Sequence, residues 1–188
     1  METRLSREAF SPEGYIVHQA QCGGLRYGVW RSDRNGCGWI AVYNLLRAAG
    51  RGQSAETVAR GLLRFSLLRG LIGTRLIAIY AYLRRRGLRL RLAAGQKRVC
   101  ALAEGAPAGI LLYRHRGGWH YVCFLPEGET GALRFLNAWR GPRDPACGMA
   151  AFLETNARSR LALALAIEPS SVKCSRRGHA SADRQADA

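Results

Sequence analysis

From residue 37 to about 49 the chain is apolar on nearly every side of a helix, through Trp39, Ile40, Ala41, Val42, Tyr43, Leu45 and Leu46, and it stops at Gly50. An all-round apolar helix is one buried centrally, and glycine is the usual residue just beyond a helix end. Asn44 breaks this pattern and is expected to tie the buried helix to its surroundings. Downstream, Ser54 predicts the cap of a second helix with Val58, Leu62 and Leu63 inward and Gly61 as a weak point. Thr74 predicts the cap of a third, in which Leu76, Ile79, Tyr80 and Leu83 repeat at helical spacing before Gly87. The run Leu88-Arg89-Leu90-Arg91-Leu92 alternates strictly, as a half-buried strand does. A short helical piece is expected at 99–103.

The second half reads differently. Residues 108–113, 119–125 and 132–139 predict strands joined by glycine-containing turns, followed by a helix at 148–158 and a last strand at 161–167. Helices first and antiparallel strands later is an α+β pattern: a helical N-terminal half whose buried helix packs on an antiparallel sheet from the C-terminal half. Ahead of the helix, 15–30 is strand-like, with 15–17 and 25–30 separated by a turn at Cys22-Gly23-Gly24, and 32–36 reads as a polar loop. Residues 1–14 read as a loose arm, 15–168 as one domain and 169–188 as a disordered tail.

Composition narrows the picture. The chain has 188 residues, 48% of them hydrophobic, and carries a formal charge of +16, almost all from arginine. Such a charge attracts acidic partners, although a compositional bias towards arginine accounts for it equally. Arg75, Arg84, Arg85, Arg86, Arg89, Arg91, Lys97 and Arg98 follow one another with no acidic residue between them. Cations near a helix C-terminus are favourable in any case, and no nucleic-acid-binding signature accompanies them. A solvated basic face around Arg84 and Arg91, guiding an acidic partner, is preferred to nucleic-acid binding. The six cysteines and four histidines show no metal-ligand spacing, so neither metal nor cofactor is expected. Without a secretory signal or an apolar run of about 20 residues, the expected setting is the cytoplasm, with reduced thiols.

Candidate chemistry centres on Asn35-Gly36-Cys37-Gly38. A thiol in the first turn of a helix meets unpaired N–H groups and the positive end of the dipole, which favour the nucleophilic thiolate. The flanking glycines leave the backbone free to turn and let a substrate approach. A thiolate needs a base, and the base an orienter. His120 stands in a strand of aromatic and β-branched residues; with a loop at 126–131, Leu125 pairs with Ala132 and His120 falls opposite Asn137. A slip of one residue would put the two on opposite faces. Without the cysteine helix, such a pair reads first as a satisfied polar contact; with it, the triad is preferred.

In their order, Asn35-Gly36-Cys37-Gly38, Gly73-Thr74-Arg75-Leu76, Gly105-Ala106-Pro107-Ala108, His120-Tyr121-Val122 and Asn137-Ala138 resemble the papain-like cysteine peptidases that process double-glycine leader peptides. The resemblance covers about residues 30–148. It implies a papain-like fold, with Cys37 as nucleophile, His120 as general base and then acid, and Asn137 as orienter, cleaving a peptide bond through an acyl-enzyme. Two positions depart from the family. Asn137-Ala138 replaces the usual Asp-Pro, and Arg31 occupies the place of a glutamine that donates to the oxyanion. The Cys37 N–H and Asn35 are the expected oxyanion donors instead.

Three rivals stand beside this reading. An inactive papain-like binding module is favoured by Arg31; an acyltransferase of transglutaminase type would use the same three roles; and Gly23-Gly24 invites self-cleavage, though a turn explains it. With no membrane span expected, the resemblance implies a free-standing peptidase domain.

Overall fold

In the computed structural model the chain is described over residues 5–65, 74–128, 131–138 and 146–169. The expected tail lies outside the described residues except for Pro169, as do Cys174, His179 and Trp139. A small hairpin opens the domain: β1 (Arg26–Tyr27) pairs antiparallel with β2 (Trp30–Arg31). The chain then forms α1 (Ser32–Asn35), α2 (Cys37–Ala48), α3 (Ala55–Leu63) and α4 (Leu76–Arg85). Next come β3 (Leu90–Ala94), α5 (Gln96–Ala103), β4 (Gly109–His115), β5 (Gly118–Glu127), β6 (Ala132–Leu136), α6 (Met149–Asn156) and β7 (Ala162–Ile167). The five longer strands make an antiparallel sheet in the order β3-β7-β4-β5-β6. The fold is α+β.

The sheet is covered on both faces. Ile110, Tyr121, Cys123, Leu136, Leu165 and Ile167 pack in one cluster with α2, α3 and α4. Leu111, Tyr113, Val122, Phe124 and the alternate alanines of β7 pack with α5 and α6. Strand alternation explains the division. The helix α2 is buried from Gly38 to Leu46 without interruption. Trp39, Ile40, Leu45 and Leu46 are fully buried, each worth about 1.5–3 kcal/mol of apolar burial. Asn44 holds it at both ends of one amide: Oδ1 accepts from the Ile16 N–H at 2.8 Å, and Nδ2 donates to the Ile16 carbonyl at 2.8 Å.

Several local expectations are corrected. The arm expected at 1–14 is packed where it is described: Ala9 is fully buried, Phe10 bridges Ile16, and the Glu13 carbonyl accepts from Arg47 Nε at 2.7 Å. Residues 25–30 form a hairpin rather than one strand, because Gly28 takes φ 65° and reverses the chain. Residues 32–35 form a helical turn, not a loop, with the fully buried Ser32 accepting from Trp39 Nε1 at 3.0 Å. Ser54 does cap its helix, accepting from the Thr57 N–H. Thr74 does not, since α4 begins after Arg75; its hydroxyl donates to Tyr27 Oη instead. On α4 the buried aromatic is Tyr82, and the sheet takes up residues 90–94, leaving Leu92 exposed.

Candidate active site

A cavity of about 640 Å³ opens at the N-terminus of α2, walled by Gln19, Asp33, Asn35, Cys37, His115, His120 and Asn137 among others. Its floor is set by close packing around the cysteine. A Cβ on Gly36 would lie 2.3 Å from the Ser32 carbonyl oxygen, and one on Gly38 would lie 2.6 Å from the Thr74 side chain. Both glycines are therefore required by contact distance. Gly36 itself has an ordinary right-handed conformation. Thr74, pressed against Gly38, donates to Tyr27 Oη at 3.0 Å and accepts at its carbonyl from Tyr121 Oη at 2.9 Å. This network pins the start of α2 to β5.

Cys37 is part-exposed into the cavity. N–H groups of Tyr121, Gly38 and Cys37 itself pull its pKa down, but desolvation outweighs them and holds the thiol above its ordinary value. Burial therefore favours the thiol over the thiolate. The helix-start position alone does not generate a thiolate, contrary to what the first-turn argument suggests.

His120 comes from the other face of the same strand. Tyr121 and Cys123 point to the side of α2, while Val122 and Phe124 point to that of α5 and α6. His120 follows the second set near the start of β5, its ring edge-on to Tyr113 at 6.0 Å and to His115 at 5.7 Å between centroids. It is 6% exposed, and burial pushes its pKa down to about 4. Its Nε2 lies 2.7 Å from the Asn137 backbone carbonyl. A carbonyl only accepts, so Nε2 carries the proton of the neutral ring and Nδ1 is the basic nitrogen.

Asn137 and His120 are thus brought together, by a different route from the expected one. The strands pair Cys123 with Leu136 and Leu125 with Arg134, two residues away from the expected register. β5 continues to Glu127, since β4 begins at Gly109 opposite Phe124 and Pro126 therefore has a strand neighbour on one side only. A shift of two preserves the face. Asn137 then leaves the strand with φ 64°, among the described residues the one non-glycine at positive φ. That turn presents its carbonyl to the imidazole. Its side chain instead clamps Gln19: Oδ1 accepts from the Gln19 N–H at 3.1 Å, and Nδ2 donates to Gln19 Oε1 at 3.2 Å.

Gln19 and His115 are the cavity residues that sequence reasoning missed. Gln19 Nε2 also donates to the Asp33 carbonyl at 3.1 Å, so the residue links Asn137 to α1. No local motif marks it, and only the fold brings it near Cys37. His115, read as part of a turn, is the last residue of β4 and 7% exposed; its Nδ1 accepts from the Gly117 N–H. Arg31 is turned to Asp33 at 3.0 Å on the exposed side and does not wall the cavity. Among the described residues no cluster of side chains suits a metal ion, and no helix is long and apolar enough to cross a membrane.

No protein-family model matches the chain. No curated protein matches it either. Among solved structures, it is similar to a double glycine motif protease from an AMS/PCAT transporter, crystallised in complex with the leader peptide. That likeness has 13% identity over 70% of this chain and 84% of that one, with a TM-score of 0.45.

Proposed function

We propose that the cavity is the active site of a papain-like cysteine peptidase, with Cys37 as nucleophile and His120 as general base. One observation carries this reading. The thiol at the start of a buried helix shares a cavity with an imidazole whose Nε2–H is fixed on a backbone carbonyl. Both groups are neutral at rest. His120 Nδ1 takes the thiol proton as the sulfur attacks the substrate carbonyl, so the ion pair forms during reaction. The imidazolium then protonates the leaving amine. The S-acyl bond is broken by water, which His120 deprotonates in turn. Asn137 orients the imidazole through its carbonyl, and its side chain orients Gln19. Gln19, which walls the same cavity, is our assignment for the side-chain oxyanion donor, beside the Cys37 N–H and Asn35. The five cysteines among the described residues are all free, as is usual in a reducing compartment, and the cytoplasm is our proposed location.

The test is acylation by an activated peptide p-nitrophenyl ester, which demands little of substrate recognition. Wild type should release about one equivalent of nitrophenol in a burst and carry the acyl mass on Cys37. Cys37→Ser should do neither. An unmodified Cys37 in the wild type sinks the catalytic reading. The raised thiol pKa favours a second one, a binding module with a silent cysteine, and that result would select it. An amine acceptor added to the acyl-enzyme separates transfer from hydrolysis by the product formed.

A further inference from the structure

The register of the β4–β5 hairpin decides what surrounds His120. Tyr113 pairs with His120, and His115 pairs with Gly118. Residues two apart on a strand share a face, so His120 has Tyr113 directly opposite and His115 on the diagonal. Three rings meet there. His120 stands edge-on to Tyr113 at 6.0 Å and to His115 at 5.7 Å, and those two lie 6.2 Å apart. Phe152 of α6 backs Tyr113 at 5.3 Å. The bond from His120 Nε2 to the Asn137 carbonyl fixes one corner of the imidazole, and a ring held at one corner still swings about it. Tyr113 and His115 close two of its sides.

His115 is itself held. It is 7% exposed, and its Nδ1 accepts from the Gly117 N–H at 3.0 Å, so the proton of the neutral ring is on Nε2. Gly117 lies close enough that a Cβ there would come within 2.9 Å of His115 Cε1. Charging His115 adds a proton at Nδ1 and sets two donors face to face. The surroundings oppose that charge as well. Arg114, Arg116 and Arg158 line a hollow of about 340 Å³ with His115, while His120 and Tyr113 stand beside its ring. Asp33, the one carboxylate among the described cavity walls, is paired with Arg31. Burial acts in the same direction.

We infer, with Cys37 as nucleophile and His120 as base, that His115 is a positioning residue: a ring kept neutral that holds the His120 imidazole aimed at the thiol. Acylation turns His120 into an imidazolium, and a neutral neighbour confines it without repelling the new charge. Confinement matters because a displacement of about 1 Å in a reacting group costs about 10²-fold in rate.

The experiment is the nitrophenol burst from the activated ester, measured per folded molecule from pH 8 to pH 5 in the full chain. His115→Ala removes one wall and should slow acylation at pH 8 by at least about tenfold. His115→Phe restores a flat ring that cannot charge. It should come within about threefold of wild type at pH 8 and decline less than wild type towards pH 5. Gly117→Ala pushes the ring from an exposed turn and should slow acylation severalfold, which keeps the test open where His115→Ala does not fold. Equal rates in wild type, His115→Ala and Gly117→Ala overturn the inference and leave Cys37 and His120 in their roles. Equal slowing of the Ala and Phe variants overturns it too, as do parallel pH profiles of wild type and His115→Phe. A wild type without a burst removes the catalytic reading and this inference with it.

Discussion

Asn44 and Asn137 are both buried asparagines reaching for the same N-terminal segment, and they do opposite things with their side chains. Asn44 spends its amide on the two polar groups of one residue, Ile16, inside a helix with regular geometry. Asn137 spends its amide on Gln19 and gives its backbone to His120, from a left-handed conformation. The first is a structural tie and would serve in any chain that buries a helix. The second combines a strained backbone with a carbonyl aimed at a titratable group, which is the form functional sites tend to take. Residue type and burial are alike at both positions; what separates them is the group that receives the backbone.

The comparison can be broken at its functional end first. His120→Ala should slow acylation of Cys37 by about 10²–10⁴, measured by the nitrophenol burst per folded molecule at pH 8. An unchanged rate would leave Asn137 with nothing to orient. At the structural end, Asn44→Ala strands the Ile16 N–H and carbonyl, and should cost about 3 kcal/mol in urea unfolding with little effect on the intrinsic rate of the folded fraction.

Acid should separate the two regions next. His120 has its pKa lowered from 6.5 to about 4 by burial. Its contribution is therefore complete above pH 6.5, is lost as pH falls towards 4, and amounts to about 3 kcal/mol. His115, also lowered by burial, acts in the same direction. Urea unfolding from pH 7.5 to 4.5 should show the decline in wild type and in Asn44→Ala alike, and a shallower one in His120→Phe.

A finer test replaces Asn137 itself. Asn137→Gly keeps both the carbonyl and the positive φ, so acylation should fall no more than about tenfold; Asn137→Ala strains the same backbone by about 1 kcal/mol and should be slower. If the side chain were the orienter, the two would be equally crippled. The smallest effect is expected at Glu13, which pairs with Arg134 at 3.3 Å on the surface. Glu13→Gln should leave the midpoint unmoved at pH 7, since exposed pairs contribute little.

Much of the fold was legible because it rests on local patterns. The apolar run of α2, the stop at Gly50, the Ser54 cap and the alternation in the second half all concern neighbours in sequence. The role of Asn44 followed from one polar residue on an apolar helix. Legibility failed where a partner comes from far away. Thr74 looks like a cap, yet Tyr27 and Tyr121 claim its polar groups. Gly36 and Gly38 look like hinges, yet Ser32 and Thr74 leave no room for a side chain there. Gln19 carried no signal, because nothing near it in the chain suggests Asn137.

The sequence by itself determined an α+β chain with a cysteine opening its most buried helix, and a histidine and an asparagine brought together by neighbouring segments of the second half. Periodicity carries that much, since 3.6 and 2 are properties of the backbone. Only the tertiary structure decided the two-residue shift in strand pairing, the left-handed turn at Asn137 and the burial that raises the Cys37 pKa and lowers that of His120. Register and turn geometry depend on how the whole sheet closes against its helices, and protonation depends on how much water the closed fold leaves around each group.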